Sequence, residues 1–207
     1  MLLLNGLSVT LRVTFFAIII GTVFGIVLAL MKMSKSKVLS AISNLYITVI
    51  RGTPMVTQLL IIYFVVFASV NVSKIFVAII AFGLNSSAYV AEIIRAGIQA
   101  VDRGQTEAGR SLGLSSRQTL FLIVMPQAVK NIFPAYVNEF IVLIKETAIV
   151  GYIALEDLTK AGDIIRSRTY EAFIPLLSVA FIYLIITSVL AKLCDIVERR
   201  LNRHDMR

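Results

Sequence analysis

The sequence predicts an all-α membrane protein with five transmembrane helices in a single domain that covers residues 1–207. Of the 207 residues, 58% are hydrophobic and 15% are charged, and the mean hydropathy is +0.88. One helical crossing of a bilayer needs about 20 apolar residues, so a chain of this length and composition has room for about five crossings. The lone Cys194 excludes a disulfide framework and a cysteine metal cluster.

The predicted spans are apolar stretches bounded by charged or turn-forming residues. They cover residues 13–31, 55–70, 75–100, 133–150 and 173–193. The first apolar run is too long for a signal peptide, the N-terminal residues 1–5 include no basic residue, and Lys32, Lys35 and Lys37 follow the run. Its Gly21 and Gly25 are spaced for close approach of another helix.

The second span follows the sequence Arg-Gly-Thr-Pro at residues 51–54. Thr53 is predicted to cap the helix and Pro54 to occupy its first position, where a missing N–H costs nothing. The mixed-charge stretch 151–171, before the fifth span, is predicted to be an extramembrane loop with a short helix that could face a delivering partner.

Polar side chains interrupt the third span. Asn85, Tyr89 and Glu92 fall at positions i, i+4 and i+7, so they share one helix face, which must look toward protein or water. Glu92 and Arg95 are three residues apart near the end of the span, and an interfacial structural pair is the preferred interpretation for them.

The fourth span carries Asn138, Glu139, Lys145 and Glu146. An ionisable residue near the bilayer centre costs about 2.5 to 3.5 kcal/mol on insertion scales. Several in one span therefore indicate a water-accessible or protein-lined solute pathway. An internal Lys145–Glu146 pair that only locks helices remains an equal alternative for those two residues.

A polar, glycine-punctuated segment, residues 101–126, separates the third and fourth spans. Asp102 can cap a short helix over residues 103–112, and Gly113 is a natural left-handed stop. Ser115 and Gln118 then form a capping box that opens the next helix. The segment is predicted to hold a short helix outside the membrane, where it can touch a partner.

Within this segment, Glu107-Ala108-Gly109, Gly113, Ile123 and Met125-Pro126 resemble the EAA signature of permeases in binding-protein-dependent ABC importers. Gly109 and Met125 depart from the consensus alanine and leucine. The residues RGTP before Gln58-Leu59, and the run LNSSAYVAEIIRAGI, resemble permeases for polar amino acids. The run KETAI at 145–149 departs from that pattern, which leaves its role open.

The resemblance implies a type I ABC importer permease fold with a cytoplasmic coupling loop at about residues 101–117. It also implies partners: a second permease copy, expected to form a homodimer although a heterodimer is possible, a cytoplasmic ATPase dimer, an extracytoplasmic amino-acid-binding protein, the amino-acid substrate and membrane lipid. The chain has no G-x-x-x-x-G-K-[ST] loop. We therefore expect no cofactor on this chain, with ATP and Mg²⁺ on the ATPase, and no catalysis within the permease.

Two residue sets are expected to carry the function. The substrate-binding set consists of Gln58, Asn85, Ser86, Ser87, Tyr89, Asn138 and Glu139. The ATPase-coupling set consists of Asp102, Glu107, Ala108, Gly109, Leu112 and Gly113. A carboxylate in low dielectric suits a positive group, so Glu139 favours a cationic amino acid such as arginine, lysine or histidine, with glutamine or glutamate as the alternative.

The net charge of +8 indicates how the chain is oriented in the membrane and not binding to nucleic acid, because the basic residues lie between apolar spans. With five spans, most Lys and Arg residues fall on the side of the coupling loop and the basic C-terminal tail. The positive-inside rule then predicts an extracytoplasmic N-terminus and a cytoplasmic C-terminus in the bacterial inner membrane. His204 stands alone in that tail, so histidine catalysis or metal ligation is not expected.

Two other classes of protein remain open at this point. A secondary transporter or channel would also explain the charges within the spans but would not need a docking helix, and proton-dependent uptake without an ATPase would favour it. A membrane sensor or assembly protein would need no polar pathway, and failure to bind or move a solute would favour it.

Overall fold

The structure, a computed structural model, describes residues 1–202, and each element in that range is helical. His204 and the tail from residue 203 onward lie outside the described residues. The helices are α1 (Leu2–Lys32), α2 (Lys37–Gly52), α3 (Met55–Ile61), α4 (Lys74–Gln99), α5 (Arg103–Ser111), α6 (Ser116–Thr119), α7 (Met125–Glu146), α8 (Leu158–Thr169) and α9 (Phe173–Asn202). Two π-helical turns, Ile62–Val66 and Leu120–Val124, and one 3₁₀ segment, Thr147–Ile153, extend these helices.

Four helical stretches in the described part of the chain are long and apolar enough to cross a membrane: Leu2–Lys32, Lys74–Gln99, Ser116–Ile153 and Phe173–Arg200. A helix pair, Lys37–Gly52 with Met55–Val66, is bent by 106° and has the length and composition of a fifth crossing when the two helices are taken together. The predicted span over residues 55–70 is helical only over Met55–Val66 and is one arm of this bent pair, so its predicted extent as a separate span is wrong. Met55–Val66 reaches only about 18 Å at 1.5 Å per residue, short of the roughly 30 Å of a bilayer core.

The break between α2 and α3 follows from Pro54. Proline disfavours helical geometry in the residue before it, and Thr53 is extended, with φ −120° and ψ 146°. The predicted cap by Thr53 is wrong, because Pro54 itself takes the cap position and α3 begins at Met55. The Thr53 hydroxyl instead donates to the Val49 carbonyl at 2.9 Å.

The core lies between α1 and α4, which cross closely at glycines. A Cβ on Gly21 would lie 2.9 Å from Ser86 Cβ, and one on Gly25 would lie 2.7 Å from Val90 Cγ1. The predicted role of these glycines in close helix approach is confirmed. Phe82 of α4 is fully buried and belongs to the same core cluster as Val13 and Ala17 of α1.

The segment 116–153 is one continuous helical stretch, longer than the predicted span 133–150. It begins at the predicted capping box, in which Ser115 Oγ accepts from Gln118 N at 3.3 Å and Gln118 Oε1 accepts from Ser115 N at 2.9 Å. Pro126 does not end the helix, because it falls in the first turn of α7 after a π-helical turn.

The predicted short helix between the fourth and fifth spans is α8, and a buried carboxylate anchors it. Asp157 is fully buried and caps α8 by accepting from Lys160 N at 2.8 Å and Thr159 N at 3.1 Å. Leu158 N donates to Thr10 Oγ1 of α1 at 3.2 Å. Burial raises the pKa of the Asp157 carboxyl above its ordinary value, although the two backbone donors act in the opposite direction.

Candidate solute site and coupling loop

Gln58 and Asn85 connect the bent helix pair to the core. Asn85, which is buried, donates through Nδ2 to Gln58 Oε1 at 3.0 Å. Gln58 Nε2 lies within hydrogen-bond distance of Ile50 O (2.7 Å), Thr53 O (3.1 Å) and Thr53 Oγ1 (2.8 Å). The Gln58 amide therefore satisfies carbonyls at the end of α2, which have no partner within the helix, and fixes the bend against α4.

Ser86, one residue further along α4, forms a hydrogen bond with the fourth span. Its hydroxyl donates to Glu139 Oε1 of α7 at 2.9 Å, and Ser86 itself is fully buried against α1. No other hydrogen bond to this half-buried carboxylate occurs within residues 1–202. The charges of Arg51 and Glu146 are close enough to act on it. The Glu139 carboxylate is thus held in place at one oxygen and free to accept at the other.

Ser87 and Tyr89 face α2 rather than α7. The Tyr46 hydroxyl lies 3.1 Å from Ser87 Oγ and donates to the Leu84 carbonyl at 2.9 Å. The Arg51 guanidinium lies over the Tyr89 ring, 5.2 Å from its centroid, in cation–π geometry. These contacts place Tyr89 at an open groove instead of at Glu139.

That groove, here called the Arg51 groove, has a volume of about 600 Å³. Its polar lining comes from Arg51, Tyr89, Glu92, Arg95 and Asn131. It lies between the end of α2, the second half of α4 and α7. A volume of this size is in the range of small-molecule sites, which span roughly 300 to 1,000 Å³.

Glu92 pairs with two cations. Arg95 Nη2 lies 2.8 Å from Glu92 Oε2, and Lys32 at the end of α1 contacts the other carboxylate oxygen. Arg95 also donates to Gln99. The predicted Glu92–Arg95 structural pair is confirmed in geometry, and the structure adds Lys32 as the residue that links it to α1.

Asn138 is exposed on α7, and no hydrogen bond joins it to another predicted site residue within residues 1–202. Lys145 is exposed as well, whereas Glu146 is half-buried. Since α7 advances one turn per 3.6 residues, Asn138 and Lys145, seven residues apart, share one outward face. Asn131 instead lines the Arg51 groove and donates to the Gly97 carbonyl of α4 at 3.4 Å. The polar residues of the fourth span are therefore divided between an inner face at Glu139 and this outer face.

Three residues near the site were not among the predicted ones. Arg51 and Tyr46 lie on α2, which was not among the predicted spans. The sequence pattern therefore did not indicate which side of a membrane helix they occupy. Tyr136, whose hydroxyl is hydrogen-bonded to Thr22 of α1, lies three residues before Glu139. That i, i+3 spacing was the available signal that Tyr136 and Glu139 share a face.

The predicted short helix between the third and fourth spans is α5. Asp102 is its N-cap and accepts from Gly104 N at 2.6 Å. Gly113 adopts φ +85°, the left-handed geometry expected of it. Gln105 does not complete a capping box with Asp102, because its Oε1 accepts from Gln127 Nε2 at 3.2 Å.

The residues of the coupling set differ in exposure. Glu107, Ala108 and Leu112 are exposed, and Leu112 retains 81% of its surface. Gly109 is buried: a Cβ there would lie 2.7 Å from Ile123 Cδ1 and 2.8 Å from Thr119 Cγ2. The small size of Gly109 therefore allows α5 to pack on the start of the fourth span, so a docking partner would meet its exposed neighbours instead.

Known proteins match this chain over nearly its whole length. The family described as "binding-protein-dependent transport system inner membrane component" matches residues 21–203. A protein of Rickettsia typhi, provisionally named as a glutamine transport system permease protein, is 40% identical over 201 residues, covering 96% of this chain and 92% of the relative. The arginine transport system permease protein of Bacillus subtilis is 41% identical over 205 residues, covering 98% and 94%.

A solved structure titled as an amino acid ABC transporter with histidines superimposes with a TM-score of 0.90 at 49% identity. The match covers 96% of this chain and 94% of that one. Similarity at this level over the complete fold extends the family match from sequence to three-dimensional structure, and the predicted type I permease fold is confirmed.

The chain belongs to the family of binding-protein-dependent transport system inner membrane components. It is a multi-pass permease subunit of the inner membrane and not an enzyme, and hydrolysis of ATP belongs to a separate ATPase subunit. Importers of this kind work with an ATPase and a solute-binding protein. The predicted resemblance to permeases of amino-acid importers is confirmed. The secondary-transporter and sensor interpretations are set aside.

Proposed function

We propose that this permease imports an amino acid, and that Glu139 makes it selective for a cationic one such as arginine, lysine or histidine. The observation that carries the proposal is the Ser86–Glu139 hydrogen bond of 2.9 Å, which holds a carboxylate within the fourth span while one of its oxygens keeps acceptor capacity. A fixed carboxylate in a low-dielectric site stabilises an ammonium or guanidinium group by charge-assisted hydrogen bonds.

The other predicted site residues divide by their contacts. Ser86 orients Glu139, and Tyr89 borders the Arg51 groove, where an amino acid has room to bind. Gln58, Asn85 and Ser87 act mainly through neighbouring groups, because their polar atoms already contact the protein. Asn138 belongs to the outer face of α7 and contacts solute only if that face lines the pathway.

Two copies of the chain form the working permease, as a homodimer. The support is the outer face of α7, on which Asn138 and Lys145 are exposed in a membrane-spanning helix. Polar and charged groups facing lipid are costly, so such a face is normally covered by protein or water. An isologous contact through a two-fold axis would cover both copies at once. The N-termini are then extracytoplasmic and the C-termini cytoplasmic, by the positive-inside rule.

The exposed side of α5 transmits the state of the ATPase dimer, which carries ATP and Mg²⁺. Glu107, Ala108 and Leu112 present a small charged and apolar surface, while Asp102, Gly109 and Gly113 fix the start, packing and end of the helix. An extracytoplasmic binding protein delivers the amino acid on the opposite side of the membrane.

Glutamine is the second candidate solute, because a relative of 40% identity is named for glutamine transport. The two candidates are separated by uptake into proteoliposomes that contain the permease, its ATPase and its binding protein. Competition of unlabelled arginine, lysine, histidine and glutamine against each labelled amino acid tests the proposal. We expect the cationic amino acids to compete best, and dominant competition by glutamine would contradict the cationic assignment.

A further inference from the structure

The Arg51 groove contains two arginines that differ in how their donors are used. Arg95 donates through Nε and Nη2 to Glu92 at 3.0 and 2.8 Å, and through Nη1 to Gln99. Arg51 forms no hydrogen bond or ion pair within residues 1–202, and its one described contact is the cation–π stacking on Tyr89. Stacking uses the face of a guanidinium and leaves the N–H donors at its edge available.

Arg51 is held at this place by the bend between α2 and α3. It lies in the last turn of α2. The residue before it, Ile50, is held in place because Gln58 Nε2 donates to the Ile50 carbonyl at 2.7 Å. Asn85 ties the same Gln58 to α4. Tyr89 follows Asn85 by four residues and so lies one turn further along α4. The Gln58–Asn85 bond therefore fixes the end of α2, and with it Arg51, relative to Tyr89.

The groove around Arg51 has an excess of positive charge. Its acidic lining residue, Glu92, is paired with Arg95 and with Lys32. The charge of Arg51 nevertheless acts on the Glu139 carboxylate, so the two side chains lie within electrostatic reach of each other without forming an ion pair. Arg51 lines the groove, whereas Glu139 lies outside that lining but within electrostatic reach of Arg51 and keeps one carboxylate oxygen without a hydrogen-bond partner in residues 1–202. Together the two groups suit the α-carboxylate and the cationic side chain of one amino acid.

We propose that Arg51 binds the α-carboxylate of the amino acid, while Glu139 binds its positively charged side chain. The proposal rests on the proposed function, since it deepens the amino-acid site by naming its anion-binding half. Gln58 and Asn85 act as positioning residues that hold Arg51 in place. An arginine–carboxylate pair can be bidentate and charge-assisted, which provides recognition common to all amino acids, whereas Glu139 distinguishes their side chains.

The test uses the permease–ATPase complex in lipid nanodiscs without the binding protein, so that the selectivity measured belongs to the permease. Labelled L-arginine is the probe. Agmatine, which is arginine without the carboxylate, and L-citrulline, which replaces the guanidinium by a neutral urea, are the competitors. In the wild type, both competitors should bind more weakly than arginine.

For Arg51→Gln we expect arginine to bind roughly 10- to 100-fold more weakly, as loss of a charged hydrogen bond predicts. Its advantage over agmatine should disappear while its advantage over citrulline persists. Glu139→Gln should show the opposite pattern. Arg117→Gln is the matched control, because this arginine also stacks on an aromatic ring, Phe121, at 6.0 Å but lies outside the groove, and it should preserve both preferences.

An unchanged preference for arginine over agmatine in Arg51→Gln, together with altered citrulline discrimination in Glu139→Gln, would overturn the role of Arg51 and leave the proposed function standing. Absence of arginine binding in the wild type would overturn both. If Arg51→Gln fails to co-purify with the ATPase, Arg51→Lys is measured instead. This variant keeps the charge but not the bidentate fork, so a partial loss of the agmatine discrimination is expected, and no loss would overturn the assignment.

Discussion

Asn85 Nδ2 and Gln58 Oε1, 27 residues apart in sequence, form a 3.0 Å hydrogen bond that joins the bent helix pair to the core helix α4. Both side chains were expected to contact solute. The contacts of Gln58 with the Ile50 and Thr53 carbonyls show that its amide stabilises the protein's own 106° bend. This polar pair therefore has a structural role that its position within the spans did not reveal.

Removing either partner of this pair should destabilise the permease. Gln58→Ala leaves the buried Asn85 amide and the Ile50 carbonyl without their partner, and an unsatisfied buried polar group costs about 1–3 kcal/mol. The single and double alanine variants form a cycle whose coupling energy should be about 0.6 kcal/mol and at most about 1.7 kcal/mol. Because the chain contains no tryptophan, unfolding in mixed micelles is followed by circular dichroism.

Asn44→Ala is the control for that cycle, since Asn44 is exposed and donates only to Ser40, at 3.3 Å. Its unfolding free energy should stay near that of the wild type. Fully additive effects of Gln58→Ala and Asn85→Ala would show that the two side chains are not energetically coupled.

Gly21→Ala should reduce both stability and transport. The added Cβ would lie 2.9 Å from Ser86 Cβ, and overpacking of this kind typically costs about 1–3 kcal/mol. Since Ser86 holds Glu139, we expect weaker solute binding as well. Gly52→Ala is a matched control because nothing lies within 4 Å of its added Cβ. Equal thermal stability and equal solute affinity of the two variants would contradict the packing argument.

Substitutions in the coupling loop should separate folding from transmission. Gly113→Val forces a β-branched residue into φ +85°, and Ala108→Leu enlarges the exposed side of α5. We expect both variants to insert and dimerise but to co-purify poorly with the ATPase and to lose solute-stimulated ATP hydrolysis in vesicles. Gly113→Asn is the control, because asparagine tolerates left-handed geometry. Normal docking and stimulation in both test variants would show that the loop does not transmit the signal.

Asp157 should make stability depend on pH. Burial raises its folded-state pKa above the ordinary 3.8. At pH values between 3.8 and the folded-state pKa, the folded protein therefore binds more protons than the unfolded one. Stability from this group is complete below pH 3.8 and is lost as the pH rises through the folded-state pKa. In Asp157→Asn this loss should be absent, which thermal melts over a pH series can measure.

Asp163 contributes to the pH dependence of stability with the opposite sign. Its carboxylate is exposed, and hydrogen bonds from Lys160 and Arg166 hold its pKa below the ordinary value. Its contribution is present above pH 3.8 and is lost as the pH falls. The Asp157→Asn effect is therefore measured in an Asp163→Asn background. Identical pH dependence with and without Asp157 would contradict the buried-carboxylate argument.

Most of the fold followed from local patterns in the sequence. Long apolar runs predicted four of the crossings, glycine spacing predicted the α1–α4 contact, and the capping box and Gly113 predicted the ends of the coupling loop. The bent pair escaped prediction because α2 is amphipathic and contributes to a crossing only in combination with α3. Periodicity within one segment carries no information about a hydrogen bond made by Gln58 across eight residues to Ile50.

The candidate site was predicted less completely than the fold. Polar residues within spans identified Ser86 and Glu139 as members of one site, and the structure brings them together. Neighbours in sequence nevertheless diverge on a helix, since successive residues are rotated by about 100°. Asn138 and Glu139 therefore face different surroundings, and Ser86 and Ser87 contact different helices. The position of Arg51 over Tyr89 depends on the bend, so it could not be derived before the bend was known.

The central claim is that Glu139 recognises the positive charge of the imported amino acid. Its most direct test is uptake of labelled arginine and glutamine by proteoliposomes that contain either wild-type permease or Glu139→Gln. Glutamine in place of glutamate keeps the acceptor for Ser86 but removes the charge. We expect arginine uptake to fall by roughly 10-fold or more while glutamine uptake changes little. Unchanged uptake and affinity for arginine, lysine and histidine in Glu139→Gln would contradict the account.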